Sequence, residues 1–179
     1  MILREASFED APALAEIYAH HVLHGFGTFE EEPPSAEELG QRLAEVRARG
    51  LPWLVAEDEE DGGLLGYAYA STFRTRSAYR FTVEDSVYVA PDSQGRGVGR
   101  ALLGELIARC EALGARQMLA VIGDSANAPS IALHRAMGFE MCGTTRAVGF
   151  KAGRWVDIVS MQRPLGDGAE APPSGDGIL

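Results

Sequence analysis

Gln94-Gly95-Arg96-Gly97-Val98-Gly99-Arg100 sets three glycines on alternate positions, between the apolar run Val87-Tyr88-Val89 and a helix-like run reaching Leu113. Without side chains at 95, 97 and 99, an anion can approach the backbone N–H groups closely. Ahead of a helix, those groups and the helix dipole form a site for a pyrophosphate. Arg96 and Arg100 add charge for the same kind of ligand. A dinucleotide-binding G-x-G-x-x-G needs glycine where Arg100 stands, and a phosphate loop closing in Gly-Lys-Ser/Thr is absent. Taken alone, the stretch is also compatible with a Gly-rich turn before an ordinary helix.

Two carboxylates precede the loop. In Thr82-Val83-Glu84-Asp85-Ser86-Val87-Tyr88-Val89, period-two alternation puts Glu84 on one face with Thr82, Ser86 and Tyr88, and Asp85 on the other with the valines. A carboxylate in a mostly apolar strand is costly unless it is paired or functional. Either acid could take the proton of an amine. Pairing with a nearby arginine is the structural alternative. Arg74 and Arg76 stand two apart, so on an extended segment they point the same way. Forked guanidinium groups suit a carboxylate or phosphinate. Arg74, Arg76 and Arg80 together form a local basic patch that could also serve only solubility.

The elements that must position these groups follow from the chain as a whole. Its 179 residues, 46% of them hydrophobic, suffice for one globular domain with a real core. A net charge of −10 argues against a general nucleic-acid binder. No apolar run is long enough to cross a bilayer, and the N-terminus has no signal-peptide pattern. Cys110 and Cys142 suggest neither a disulfide framework nor a metal site, so the expected setting is the reducing cytoplasm. Cys110 shares a helical face with Leu102, Leu103, Leu106, Ile107 and Leu113 and reads as a buried thiol.

A strand at Ile2-Leu3 is followed by capping-box character at Ser7 to Asp10 and a helix carrying Leu14, Ile17, Tyr18 and Val22. Ser35 caps a second helix closed by Gly50. Strands are predicted at 53–57, 64–72 and 81–89, then the Gly-rich loop and its helix, and a strand at 118–122. A short helix over 127–137 leads into strands at 139–142 and 155–162. From about Gly166 the Gly, Pro, Ala, Asp and Ser composition predicts a disordered tail, leaving one domain over 1–165. The alternation predicts an α/β fold, a mixed sheet with helices on both faces.

Q-G-R-G-V-G-R resembles the pyrophosphate loop of the GNAT superfamily of N-acetyltransferases, and Asn127-Ala128-Pro129-Ser130 through His134 to Gly138-Phe139 resembles a second signature of that family. The departure is His134, where the wider superfamily carries tyrosine. Histidine there is shared by the phosphinothricin and methionine sulfone (sulfoximine) acetyltransferase group. The Thr82 to Val89 strand, Val121-Ile122-Gly123, Val148 to Asp157 and Gly27-Thr28-Phe29 resemble further blocks of that group. The resemblance covers about 160 residues, in order. It implies a GNAT fold with a splayed parallel strand pair, and acetyl-CoA as co-substrate. It also implies the acetylation of a small amino-acid-like amine, and a homodimer with the Phe150 to Trp155 segment and the Gly27 loop near shared pockets.

The same resemblance implies roles for single residues. Backbone groups of Val87, Tyr88 and Val89 would pair with the pantetheine arm. Gln94, Gly95, Arg96, Gly97, Val98, Gly99 and Arg100 would hold the pyrophosphate, and Asn127 and Ser130 would contact the cofactor. It places the functional carboxylate at Glu84 rather than Asp85, as a base or as a group that orients the ammonium. His134 would protonate the departing thiolate; a satisfied core histidine is the alternative. Phe29, Arg74, Arg76 and Thr82 join Glu84 around the substrate. His20, His21 and His24 complete no H-E-x-x-H pattern, so no metal is expected. The other readings are a protein or peptide acetyltransferase, a non-catalytic acyl-CoA sensor and a nucleotide-binding protein of another fold, whose motif is missing.

Overall fold

Ser35 and Glu38 show how locally the chain is instructed. Glu38 N donates to Ser35 Oγ (3.2 Å), and Ser35 N donates to Glu38 Oε2 (2.6 Å), a reciprocal cap that starts α2 (Ala36–Ala48). At Ser7 a similar box forms with Asp10, but it opens a single 3-10 turn, and α1 (Ala11–His24) begins one residue later with Pro12 in its first turn. In this computed structural model, which describes residues 1–178, the remaining elements are β1 (Ile2–Glu5), β2 (Trp53–Glu57), β3 (Leu64–Thr72), β4 (Thr82–Val89), α3 (Val98–Ala112), β5 (Gln117–Gly123), α4 (Ala128–Ala136), β6 (Glu140–Lys151) and β7 (Arg154–Pro164).

The seven strands form one sheet in the order β1-β2-β3-β4-β5-β7-β6. Every neighbouring pair is antiparallel except β4 and β5, which run parallel. Alternation along β4 separates two helical layers. Tyr88 meets Tyr18 of α1 edge-on, with ring centroids 4.9 Å apart. Asp85 and Val87 point the other way, toward α4 and α3. The core holds Trp53 and Tyr67 on the Tyr88 side of the sheet, and Leu102, Leu103 and Leu106 of α3, all essentially without solvent contact. Each such aliphatic side chain contributes about 1.5–3 kcal/mol of burial free energy.

Cys110 is buried as expected, and burial pushes its thiol up to about 12. Leu113, expected on the same face, is instead exposed, because α3 ends at Ala112 and Leu113 turns off the helix. The strand expected at 139–142 continues to Lys151. It is an edge strand with two irregularities opposite β7, and most of its length is exposed. Its poor alternation conceals it from a period-two reading. From 166 to 178, where a disordered tail is expected, the chain takes no helix or strand and is mostly exposed. Arg116 Nη2 donates to Ala171 O (2.9 Å), and Ile178 is buried.

Candidate active site

β4 and β5 pair only from Thr82↔Gln117 to Asp85↔Ala120, and beyond that point they separate. On its other side β4 stays hydrogen-bonded to β3 as far as Val89, and β5 stays paired to β7 through Gly123. A fork therefore opens at Glu84–Asp85, with a free β4 edge along Ser86 to Val89. It forms part of a cleft of about 1160 Å³. The Gly-rich loop closes one end of this cleft. Gly95 (φ 75°) and Gly97 (φ 83°) are both left-handed, a conformation that suits glycine, and a Cβ on either would meet only open space. Gly97 caps α3, so the first N–H groups of that helix face the cleft. Gly99 serves packing instead: a Cβ there would press within 3.2 Å of Leu133. Exposed N–H groups at a helix start and an unpaired strand edge fit an acyl-CoA, which offers phosphates to the one and amides to the other.

Most of the residues singled out from sequence line this cleft: Phe29, Glu84, Val87, Tyr88, Val89, Asn127, Ser130, His134, and the loop from Gln94 to Arg100 apart from Arg96. Four expected residues stand outside its lining. Arg96 turns away and pairs with Asp58 (3.1 Å). Thr82 lies below the fork, where β4 is still closed by Gln117. Arg74 stacks over Phe73 and Tyr79 at 5.1 and 5.9 Å from the ring centroids, reaching Glu84 only through its charge. Arg76 is exposed, at the start of a 3-10 turn. Spacing in sequence put these arginines side by side, but the aromatic rings beside Arg74 compete for its guanidinium.

The two carboxylates part company in the structure. Among the described residues nothing hydrogen-bonds to the Glu84 carboxylate. Its burial, and secondarily the neighbouring Asp85, push its pKa up to about 6 against a weaker pull from Arg74. Asp85 is committed elsewhere: its Oδ2 lies 2.9 Å from His134 Nε2, and both side chains are almost wholly buried. His134 Nδ1 lies 2.8 Å from the Ser130 carbonyl oxygen, which can only accept, so Nδ1 carries a proton. Burial alone would lower the pKa of His134, but the Asp85 hydrogen bond and charge, with the Ser130 carbonyl, hold it above 6.5. Both ring nitrogens are already bonded within the fold, and the ring joins α4 to β4 while forming part of the cleft wall.

Two features of the cleft carried no functional reading in the sequence. His21 Nε2 donates to the Val89 carbonyl (2.9 Å), pinning the end of the free edge, and burial lowers its pKa so that the ring is neutral. Its only sequence signal was membership of the His20, His21, His24 cluster. Lys151 is buried beneath the 25–29 loop, with Nζ donating to Gly25 O (2.9 Å) and Thr28 O (2.8 Å). No group of three or more metal-ligating side chains occurs among the described residues, and no helix among them is long and apolar enough to cross a membrane.

A fork between two parallel strands, closed by a Gly-rich helix start and holding a proton-poised carboxylate, is a site for acyl transfer from a thioester. Residues 3–160 match the acetyltransferase (GNAT) domain family, and the chain belongs to that family. A phosphinothricin N-acetyltransferase from Alcaligenes faecalis is 57% identical over 165 residues, covering 92% of this chain and 83% of its own length. An L-methionine sulfoximine/L-methionine sulfone acetyltransferase from Salmonella typhimurium is 41% identical over 172 residues, covering 94% of this chain and 97% of its own. Among solved structures, a phosphinothricin acetyltransferase from Sinorhizobium meliloti in complex with AcCoA superposes with a TM-score of 0.94. It shares 52% identity and covers 98% of this chain and 94% of its own. The fold expectation, the acetyltransferase class and the narrower resemblance are all borne out.

Proposed function

We propose that the protein transfers the acetyl group of acetyl-CoA to the α-amine of a small amino-acid-like compound of the phosphinothricin, methionine sulfone or methionine sulfoximine type. The observation that carries this reading is Glu84: an unpartnered, half-buried carboxylate at the fork, with its pKa pushed up to about 6. The names of the similar enzymes support the substrate class.

Acetyl-CoA, when bound, supplies the acetyl group as an activated thioester. The chain's own residues do the rest. The N–H groups at the start of α3 and the Gly95–Gly97 turn hold phosphate oxygens, with Arg100 adding charge. Asn127 Oδ1 accepts from Ser130 N (3.3 Å), an α4 cap that keeps both residues in the cleft wall. Glu84 receives the ammonium and takes one proton on a carboxylate oxygen, leaving the amine lone pair free for direct attack in a ternary complex. An α-ammonium with a pKa of about 8 is largely protonated at neutral pH, so such an acceptor is useful. Phe29 supplies an apolar wall, and Arg74 contributes positive charge from beyond the lining. The departing thiolate is a good leaving group and takes its proton from water.

The direct test is CoA-thiol release from acetyl-CoA. The amine panel holds phosphinothricin, methionine sulfone, methionine sulfoximine, ordinary amino acids, a polyamine and a basic peptide. Saturable turnover on the amino-acid analogues is expected. Turnover confined to the peptide would move the assignment to protein acetylation.

The working form is a homodimer. Phe150 (58% exposed), Trp155 (63%) and Val148 (50%) crowd the outer end of the β6–β7 hairpin, an apolar edge of the kind that subunit contacts cover. Trp155→Glu is expected to convert a dimer into a monomer in light scattering. An unchanged mass for the variant, or a monomeric wild type, would remove this face from the reading. The free thiols Cys110 and Cys142 suit a reducing compartment such as the cytoplasm.

A further inference from the structure

The segment 25–30 takes no helix or strand, but it is tied down from several sides. Lys151, at the end of β6 and only 5% exposed, donates from Nζ to the carbonyls of Gly25 and Thr28. Gly25 caps the C-terminus of α1, so the ammonium also sits at the negative end of that helix dipole. Tyr18 OH accepts from Thr28 Oγ1 (2.8 Å) and donates to Glu30 Oε1 (2.9 Å), and Arg42 of α2 holds the Glu30 carboxylate through both nitrogens. Arg154 of β7 places its guanidinium 3.7 Å from the centroid of the Phe26 ring.

Two glycines complete the seat. A Cβ on Gly123 would collide with the Phe26 carbonyl, and a Cβ on Gly149 would collide with the Phe29 ring. Neither glycine has a positive φ, so it is closeness and not backbone conformation that requires them. Phe29 remains part of the cleft lining although its ring is wedged over Gly149. The result is a wall, fixed from α1, α2, β5, β6 and β7, that leaves its aromatic ring at one position.

We propose that Lys151 is a positioning residue and that, with the Gly149 notch, it locks the 25–30 segment as a rigid wall, setting which amine side chains the cleft accepts. The proposal rests on the amine-acetylating reading given above. Pre-ordering the wall means that substrate binding does not have to order it. A ring held in a notch discriminates by size, whereas a mobile loop would yield to larger side chains.

The first variant is Lys151→Met, which keeps the length of the side chain and removes its donors. Two charge-assisted hydrogen bonds hold the carbonyls, and their loss is expected to raise amide exchange across residues 26–30 at least tenfold relative to the strands. KM for the amine should rise about tenfold, while the dissociation constant of acetyl-CoA, from calorimetry, changes less than twofold. Gly149→Ala leaves Lys151 in place and keeps the proposal testable if Lys151→Met does not fold. It should move Phe29 and change the kcat/KM ratio between short and long amino-acid side chains by about tenfold. Wild-type exchange rates at 26–30 in Lys151→Met, an equal rise in both constants, or an unchanged ratio in Gly149→Ala would each overturn the proposal. Exchange and acetyl-CoA affinity are read without any amine, so an unreactive panel would count against the substrate assignment and not against the wall.

Discussion

Glu84→Gln is expected to lower acetyl transfer by about 10²–10⁴-fold, the range for a positioned general base. Affinity for acetyl-CoA should stay within a few-fold, because the loop and the strand edge are untouched. The pH profile gives the sharper readout. With a folded pKa of about 6, Glu84 accepts a proton only once it is ionised, so wild-type kcat/KM climbs as pH rises through about 6. It is level from there to the pKa of the amine, about 8 for an α-ammonium, because Glu84 takes its proton from the ammonium itself. In Glu84→Gln the limb near 6 disappears and only the amine's own titration remains. Stability moves in the opposite sense. The unfolded chain loses this proton near 4.5 and the folded chain near 6, so between those values the unfolded state binds fewer protons and stability falls with rising pH. Glu84→Gln removes that decline, and denaturant midpoints at pH 4 and pH 7.5 will show it. A variant that keeps wild-type turnover and its limb near 6 would sink the base assignment.

The second large effect concerns the fold. His134→Leu removes one member of a buried pair and leaves the Asp85 carboxylate facing apolar surroundings; its Oδ1 has no partner among the described residues even in the intact pair. Breaking such a pair by removing one partner costs about 3–5 kcal/mol, which should appear as a marked fall in the urea midpoint. Asp85→Val/His134→Leu, replacing both partners with apolar groups, is expected to recover most of that loss. Linkage adds a sign. Because His134 is held above 6.5 in the folded protein, its contribution is complete below 6.5 and fades as pH rises through the folded value. The single variant should therefore lose more relative to wild type at pH 5.5 than at pH 9. If the double variant is no more stable than the single one, the pair is not a coupled unit.

Much of this molecule is local and therefore legible. Short apolar runs at 53–57 and 64–72 mark β2 and β3, the Ser35–Glu38 box marks the start of α2, and 3.6-residue spacing marks the buried face of α3. Each depends on residues a few positions apart. The glycines at 95 and 97 are legible for the same reason, since a left-handed turn before a helix demands them wherever the helix goes. Glu84 stood out because charge in an apolar strand has few reasons to be there.

What needed the tertiary structure joins residues far apart in the chain. Asp85 meets His134 across 49 positions, and this contact separates the two acids of β4: one is consumed by the fold and the other left open to the cleft. Lys151 meets Thr28 across 123 positions, which turns an apparent loop into a wall. Arg74 and Arg76 were neighbours by spacing, yet local aromatic stacking and the course of the chain after β3 keep both out of the cleft lining. The sequence by itself determined most of the elements, the Gly-rich turn before α3 and the presence of two acids in β4, because those follow from residue identity, short-range sterics and hydrogen bonding. Only the tertiary structure decided which of those groups remains unpaired, because an unpaired group is defined by every partner the fold could have brought to it and did not.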